Sequence, residues 1–351
     1  MNAAVTDSPA PRPAQQPAPP GGSSGEAPIV TIADIEAAAV RLAGVAWRTP
    51  LLSSEALDAA VGGRLLIKAE PLQRTGSFKF RGACNTIAQL PPGPVVAYSS
   101  GNHAQGVALA ARLAGREATI IMPSDAPAIK QANTERLGAT LVLYDRHSED
   151  REAIGAEIAA RTGAHLVKPY DDPRIIAGQG TVGLEMAEDV RAMGIVPDAA
   201  IVCCGGGGLI AGTATALCHA FSEIAVFSAE PLGFDDTARS LLSGVREGNV
   251  PGAVSICDAL LAPMPGELTL AVNRRLLAGG LVVDDAAVLD AMRRAFLELK
   301  VVVEPGGAVA LAAALSGALD CRGKTVLVVL SGGNVDPDRF REALDSARQR
   351  S

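Results

Sequence analysis

The chain has 351 residues, of which 48% are hydrophobic and 20% are charged, so it can bury one large core or two ordinary ones. A formal net charge of -7, without any basic block, argues against a nucleic-acid-binding surface. Six cysteines without C-x-x-C spacing indicate reduced thiols and a cytoplasmic protein, and no apolar run is long enough to span a membrane.

The first 28 residues are rich in Pro, Ala, Gly and Ser, a composition typical of a disordered tail. The segment has neither the basic start nor the apolar core of a signal peptide. We therefore expect the folded part of the chain to begin at residue 29.

The segment RTGSFKFRGA places Lys79 between Phe78 and Phe80, with Arg74 and Arg81 close by. Burial and neighbouring positive charge both lower the pKa of an amine, and a neutral amine is a nucleophile. The same pattern also fits a lysine on an apolar strand, whose alkyl chain is buried while its ammonium reaches water. The segment alone leaves both interpretations open.

A regular alternation of strands and helices begins near residue 94. Buried strands are predicted in VVAYSS, EATIIMP and TLVLYD, and helices in NHAQGVALAARLAG and PAIKQANTERLGA. A fourth round follows in EDREAIGAEIAARTG and AHLVKPY. Strands that alternate with helices form parallel sheets, so the pattern predicts a small α/β domain over residues 94–165.

A second alternating set runs through AAIVCC, LIAGTATALCHAF and IAVFSAEP. It ends with the helices DDAAVLDAMRRAFLELK and PGGAVALAAALSG and the strand KTVLVVLS, whereas the periodicity is lost between about 232 and 280. We assign residues 29–93 and 166–351 to a large domain. The predicted fold is therefore a two-lobed α/β protein.

Three junctions between a strand and a loop carry groups that are suited to anions. YSSGNHAQG offers Ser99, Ser100 and Asn102 at the start of a helix, which is more than a helix cap needs. In CCGGGGLIAG, the glycines 205–208 let backbone N–H groups converge on a phosphate. LSGGNVD offers Ser331 at the end of the last strand. Ligands collect at the carboxyl ends of strands in such sheets, so the three junctions are predicted to meet in one crevice.

The glycine run has an alternative interpretation. Gly206, Gly208 and Ala211 satisfy G-x-G-x-x-A, and Glu230 ends the next strand about twenty residues later, as in a dinucleotide-binding unit. The chain would then be a nicotinamide-dependent oxidoreductase. This interpretation gives no role to TGSFKFRG or SSGNHAQG.

Six motifs together resemble the fold-type II pyridoxal-phosphate enzymes, in particular the threonine/serine dehydratases and serine racemases. They are TGSFKFRGA, SSGNHAQG, IAGQGTVGLE, GGGGLIAG, VVEPGGA and LSGGNVD, in the order of that family and spread over about residues 30–340. The resemblance implies a two-lobed enzyme in which each lobe is an open, mostly parallel sheet flanked by helices. It also implies pyridoxal 5'-phosphate as cofactor, an amino-acid substrate and a homodimer.

The resemblance assigns roles to individual residues. Lys79 is expected to carry the cofactor and to move the α-proton of the substrate, with Phe78 near the ring. Cofactor contacts are also implied for Asn102 at the 3-hydroxyl, for Gly205, Gly206, Gly207, Gly208 and Leu209 at the phosphate, and for Ser331 at the pyridine nitrogen. Ser99, Ser100, Asn102 and His103 are expected to bind the substrate, and Ser100 stands where racemases of the family have an acid and base opposite the lysine.

A cation site is implied as well. Glu230, the Phe234 carbonyl and Asp236 have the spacing of the divalent-cation site of the serine racemase branch, and these oxygen ligands suit Mg²⁺ or Ca²⁺. The alternative is a pair of solvated acids on a loop.

The predicted reaction is the dehydration of a β-hydroxy amino acid, which loses water and then ammonia to give a 2-oxo acid. Threonine and serine are the expected substrates; racemisation of serine and dehydration of 3-hydroxyaspartate are the alternatives, and Arg151 is the candidate cation for the latter's extra carboxylate. Ala259 and Lys168 depart from the glycine and the histidine that are common in the family. Only fifteen residues follow Asp336, which leaves no room for a regulatory domain and favours a catabolic enzyme.

Overall fold

The structure, a computed structural model, describes residues 28–126 and 128–345. The predicted tail, except for Pro28, lies outside these residues. The strands are β1 (Leu51–Leu52), β2 (Arg64–Ala69), β3 (Val95–Tyr98), β4 (Ala118–Pro123), β5 (Thr140–Tyr144), β6 (His165–Leu166), β7 (Ala199–Cys203), β8 (Ala225–Pro231), β9 (Leu277–Val283) and β10 (Thr325–Leu330).

The helices cover both sheets. They are α1 (Ile32–Leu42), α2 (Glu55–Val61), α3 (Lys79–Ile87), α4 (Asn102–Leu113), α5 (Ala128–Arg136), α6 (Arg151–Thr162), α7 (Pro173–Ala192), α8 (Gly208–Ala220), α9 (Asp236–Ser243), α10 (Glu267–Leu276), α11 (Asp285–Arg294), α12 (Pro305–Leu315) and α13 (Pro337–Asp345).

The strands form two sheets. The larger sheet has the spatial order β1-β2-β10-β7-β8-β9 and is parallel except for β1, and the smaller has the order β5-β4-β3-β6 and is parallel throughout. This architecture confirms the predicted α/β fold with mostly parallel sheets. Leu166, which falls in the predicted large domain, pairs with Val96 in the smaller sheet. The smaller lobe thus extends to the end of β6, and the full division into domains stays a prediction.

The central strands β7 and β10 were predicted, because helices cover both of their faces, whereas β2 beside them was not predicted. Ile67 of β2, Ile201 of β7 and Val328 of β10 are fully buried, and strands in such surroundings are apolar throughout. β9 was missed because Gly279 and Gly280 interrupt its apolar run. A Cβ at Gly280 would lie 2.4 Å from the Cβ of Ala238, so glycine there lets α9 pack closely on the strand.

The region from 232 to 280, where no periodicity was visible, contains α9, α10 and most of β9. Helix α7, which follows the smaller sheet, packs closely on α8. A Cβ at Gly212 would lie 2.2 Å from the Ile176 carbonyl oxygen, and one at Gly180 would lie 2.6 Å from Ile35. Gly180 of the motif IAGQGTVGLE therefore lets α7 pack closely on α1, and Gly212 lets α8 pack closely on α7. None of the helices within 28–126 and 128–345 has the length and apolar character needed to cross a membrane.

Candidate active site

A cavity of about 190 Å³ lies where β3, β7 and β10 end. Each of these strands runs into one of the three predicted anion-binding junctions. The predicted residues that line the cavity are Phe78, Lys79, Ser99, Ser100, Asn102, His103, Gly205, Gly206, Gly207, Gly208, Leu209 and Ser331. The structure thus brings together the whole predicted cofactor set and all predicted substrate-binding residues except Arg151; their individual roles stay predictions.

Lys79 is the first residue of α3, and it projects into this cavity. Its Nζ donates a hydrogen bond to the Pro169 carbonyl oxygen at 2.9 Å and lies 5.3 Å from the centre of the Phe78 ring. Phe80 is fully buried in the core of the smaller lobe. The segment is a helix, so the interpretation as an apolar strand is wrong. Residues two apart on a helix point in nearly opposite directions, so Phe78 and Phe80 do not enclose the lysine between them.

Burial lowers the pKa of Lys79 to about 8, although the charges of Cys203 and Glu304 act to raise it. The predicted second cause, repulsion by neighbouring arginines, does not contribute. The guanidinium of Arg74 lies over an exposed tryptophan ring, and Arg81 is bonded to buried carboxylates. A lysine amine that is partly neutral near pH 8 suits nucleophilic attack on an aldehyde.

The four glycines form a tight bend before α8. Gly207 has φ +92°, and a Cβ at Gly206 would lie 2.3 Å from the ring of Tyr170. Thr269 holds the bend from behind, since its hydroxyl donates to the Gly206 carbonyl oxygen at 2.7 Å. No side chain of the described residues caps the start of α8, so its first N–H groups face the cavity without side-chain partners. A phosphate group fits this set of donors.

Ser331 follows β10 and is buried. Its carbonyl oxygen accepts a hydrogen bond from the backbone N–H of Phe78 at 3.1 Å, and its side chain acts to lower the pKa of the Cys203 thiol, which burial raises. The hydrogen bond connects the end of the central strand to the segment that carries Lys79. This bond fixes the backbone next to Lys79, and the bond from Nζ to the Pro169 carbonyl oxygen fixes the end of its side chain.

Asn102, at the start of α4, is held by two residues that the sequence analysis did not single out. Its Nδ2 donates to Glu304 Oε1 at 2.6 Å, and its Oδ1 accepts from Asn334 Nδ2 at 2.7 Å. Burial and the charge of Asp258 raise the pKa of Glu304 to about 8, against opposing effects of Asn102 and of Lys130 and Lys79. Both new residues lie in quoted motifs, VVEPGGA and LSGGNVD, and a carboxylate just before a Pro-Gly-Gly helix start was the available signal.

His103 is buried and uncharged. Its Nε2 donates to the Val167 carbonyl oxygen at 2.9 Å, which leaves Nδ1 as an acceptor. Burial and the charge of Lys79 lower the pKa of His103 to about 3. Ser99 accepts a hydrogen bond from the backbone N–H of Gly101 at 3.2 Å, and Ser100 lies beside it in the cavity wall.

Arg151 is not part of the cavity, contrary to our expectation. It is exposed at the start of α6, and its guanidinium lies 5.2 Å from the centre of the Tyr98 ring. Two charged residues that the analysis missed, Lys130 and Asp258, line the cavity instead. Lys130 lies on α5, a helix that the sequence predicted, but the pattern did not show that its charge faces the cavity, and Asp258 lies in the aperiodic region.

Glu230 and Asp236 are buried, so the alternative of two solvated acids is wrong. The carboxylate oxygens of Glu230 accept hydrogen bonds from the N–H groups of Thr237 at 2.9 Å and Ala238 at 2.8 Å, whereas Asp236 Oδ2 is buried without a partner among the described residues. Burial raises the pKa of Glu230 to about 8 and that of Asp236 to about 7. Two buried carboxyl groups, one of them with an oxygen that has no partner among the described residues, fit a divalent cation, and the Phe234 carbonyl stays the predicted third ligand.

No cluster of three or more His, Cys, Asp or Glu side chains suited to a metal occurs within 28–126 and 128–345, so the cation site stays a prediction. The placement of Glu230 also removes the support for a dinucleotide-binding unit. Its carboxylate is bonded to the start of α9 and does not line the cavity at the glycine bend. It is therefore not available to a ribose there.

Residues 42–332 match the family model of pyridoxal-phosphate dependent enzymes. The chain is 42% identical to an L-threo-3-hydroxyaspartate ammonia-lyase of a Pseudomonas species, over 89% of the chain and 97% of the relative. It is 40% identical to an L-threonine ammonia-lyase of Thermotoga maritima, over 88% and 76% respectively. Among solved structures, maize serine racemase superposes with a TM-score of 0.84 at 39% identity, covering 92% of this chain and 99% of that one.

Proposed function

Because the chain belongs to the family of pyridoxal-phosphate-dependent enzymes, we propose that it is a carbon–nitrogen lyase that dehydrates a β-hydroxy amino acid. The substrate loses water and then ammonia, and a 2-oxo acid remains. The observation that supports this most directly is the partly neutral amine of Lys79 in the same cavity as the tetraglycine bend and Ser331. L-Serine and L-threonine are the proposed substrates, with 3-hydroxyaspartate as the alternative.

The residues of the cavity divide into a holding set and a reacting set. The N–H groups of the glycines 205–208 are proposed to hold the phosphate of pyridoxal 5'-phosphate, and the Ser331 hydroxyl to face its pyridine nitrogen. When bound, the cofactor supplies a sink for the electrons of the Cα–H bond. A neutral hydroxyl at the ring nitrogen enforces no positive charge there, which keeps this sink mild and suits loss of a group at Cβ.

Lys79 is proposed to take the α-proton. With a pKa of about 8, its Nζ exchanges protons readily near neutral pH, and the Pro169 carbonyl oxygen holds it in the cavity. The start of α4, with Ser99 and Ser100, is proposed to bind the substrate carboxylate, because free N–H groups and hydroxyls there donate to an anion.

Racemisation is a second candidate, favoured by the position of Ser100. Its hydroxyl lines the cavity that Lys79 enters, so a second proton donor is available to the substrate. Chiral analysis of serine recovered after partial turnover separates the two activities. D-Serine in the product supports racemisation, and its absence during pyruvate formation contradicts it.

The experiment that tests the proposal is turnover by purified holoenzyme. L-Serine, L-threonine and L-threo-3-hydroxyaspartate are supplied separately, and 2-oxo acid and ammonia are measured in equal amounts. Lys79→Ala should abolish both products, whereas Lys324→Ala, at an exposed lysine outside the cavity, should retain them. No product from any of the three amino acids would contradict the lyase proposal.

We also propose that the protein is a homodimer of the cytoplasm. Trp47 and Leu72 are 53% and 46% exposed and offer apolar surface to a second copy. The segments that carry them are joined by the side chain of Gln73, which is hydrogen-bonded to the backbone of Trp47. All six cysteines are free thiols, as in a reducing compartment. Sedimentation equilibrium tests the assembly, and a monomer at micromolar concentration would contradict it.

A further inference from the structure

Four charged side chains line the cavity: Lys79, Lys130, Asp258 and Glu304. Lys79 is the proposed cofactor lysine, and Glu304 is hydrogen-bonded to Asn102, a predicted cofactor contact. The other two form an ion pair between the lobes, with 2.6 Å from Lys130 Nζ on α5 to Asp258 Oδ2 on the short helix Asp258–Leu260. The side chain of Lys130 is 23% exposed and that of Asp258 is 55% exposed, so the lysine is the more deeply placed partner.

Both charges act on the interior of the cavity. Asp258 raises the pKa of Glu304 and Lys130 lowers it, which places the pair within electrostatic reach of the buried carboxyl beside Asn102. Burial raises the pKa of Glu304 to about 8, so this carboxyl holds a negative charge less readily than an exposed one. An anion that enters the cavity meets the ammonium of Lys130, whose charge is partly offset by Asp258.

We propose that Lys130 binds a second carboxylate on the Cβ of the substrate and thereby selects β-hydroxy amino acids with an acidic side chain. The proposal rests on the function proposed above and names the substrate class of the same site. A lysine ammonium has three donors, of which Asp258 uses one, so Lys130 can accept a carboxylate without leaving its partner. Asp258 repels the same carboxylate and so weakens the preference of the site for substrates with a β-carboxylate.

Arg151 provides a matched control. It carries the same charge and was the cation that the sequence favoured for this task, but its guanidinium lies over Tyr98 outside the cavity wall. Lys130→Met and Arg151→Met each remove one positive charge. Only the first removes it from a residue that lines the cavity, although the charge of Arg151 also acts on Tyr170 in the cavity wall.

The first experiment measures binding, because binding does not depend on lyase activity. L-Aspartate and L-alanine differ by one β-carboxylate, and neither carries a β-hydroxyl that can leave. Calorimetry on the holoenzyme should give a preference for aspartate, and Lys130→Met should lower it about 10-fold or more, the size expected for a lost hydrogen bond to a charged group. Arg151→Met should keep it. A wild type without the preference, or a Lys130→Met variant that retains it, would overturn the proposal.

The second experiment measures turnover of L-threo-3-hydroxyaspartate and L-serine, which form the same matched pair. Lys130→Met should lower kcat/KM for the dicarboxylate about 10-fold more than kcat/KM for serine, the size expected for one lost charged hydrogen bond. Asp258→Asn should shift the ratio of the two kcat/KM values towards the dicarboxylate. Equal loss on both substrates, or a shift in the other direction in Asp258→Asn, would refute selection by Lys130. If wild type turns over neither amino acid but binds aspartate through Lys130, the lyase proposal alone fails.

Discussion

Replacing Arg81 should test how the lysine-bearing helix α3 is anchored. Arg81 is 1% exposed and makes two hydrogen bonds of 2.8 Å to the oxygens of Glu70, which is fully buried. It also bonds Glu185 at 2.6 and 2.9 Å, and Lys68 bonds the same carboxylate at 2.7 Å. Burial raises the pKa of Glu185, but the bonds and charges of Arg81 and Lys68 outweigh it and hold that pKa below its ordinary value.

The four side chains form a neutral set of two cations and two anions. Arg81→Met leaves Glu70 with the Thr49 hydroxyl, which donates at 2.5 Å, as its remaining side-chain donor and gives the set a net negative charge. A buried charge without its partner costs about 3–5 kcal/mol of folding free energy. Because a folded protein is stable by only about 5–15 kcal/mol, a loss of this size is readily measured.

Urea unfolding of the holoenzyme, followed by circular dichroism, gives the loss as a shift of the midpoint at unchanged slope. Arg174→Met is the matched control, because Arg174 pairs with Asp172 at 2.7 Å with 37% of its side chain exposed. A pair that open to water contributes about 0–1 kcal/mol. Equal shifts in Arg81→Met and Arg174→Met would refute the reasoning.

A double variant separates lost charge balance from lost packing. Arg81→Met with Glu70→Leu removes one charge of each sign and leaves the ion pair of Lys68 and Glu185, 2.7 Å apart. Exchanging a buried ion pair for apolar side chains is often nearly neutral, so the double variant should recover most of the stability that Arg81→Met loses. A double variant no more stable than the single one would show that packing, and not charge, decides the effect.

Three further predictions concern the cavity and the cation site. The rate at which apo-protein takes up pyridoxal phosphate should rise with pH to a midpoint near 8, because only the neutral amine of Lys79 reacts; a midpoint at the ordinary 10.5 contradicts the effect of burial. Gly206→Ala should weaken cofactor binding in a fluorescence titration, since its Cβ would lie 2.3 Å from an aromatic ring, whereas Gly279→Ala, with 3.7 Å of room, should not; equal affinities contradict the close fit. Mg²⁺ or Ca²⁺ should raise the melting temperature of wild type, and Glu230→Gln with Asp236→Asn should remove the rise; a rise that persists places the cation elsewhere.

The strands that the sequence predicted share one physical cause. β3, β4, β7 and β10 lie under helices on both faces, so their burial leaves continuous apolar runs. The residues brought to the cavity were predictable for a related reason. Loops after parallel strands meet at one edge, so three polar junctions far apart in sequence were expected to converge.

The missed features depend on contacts that no local pattern records. Lys130 and Asp258 are 128 residues apart and meet only because the two lobes face each other across the cavity. Glu304 appeared as part of a motif, but its bond to Asn102 spans 202 residues. Arg151 was favoured for its charge alone, and its ring contact with Tyr98 was not visible in the sequence. Sequence thus predicted which loops meet, but not which charges face inwards.

The segment FKFR shows how a single change of period alters the chemistry. On a strand, Lys79 and Arg81 would share one face, and the two cations would lie side by side. On the helix α3 they point about 200° apart, since each residue adds about 100°. Lys79 then enters the cavity, where burial lowers its pKa, while Arg81 enters the buried ion set with Glu70. Burial therefore activates Lys79, while the ion pair of Arg81 with Glu70 anchors the helix that carries it.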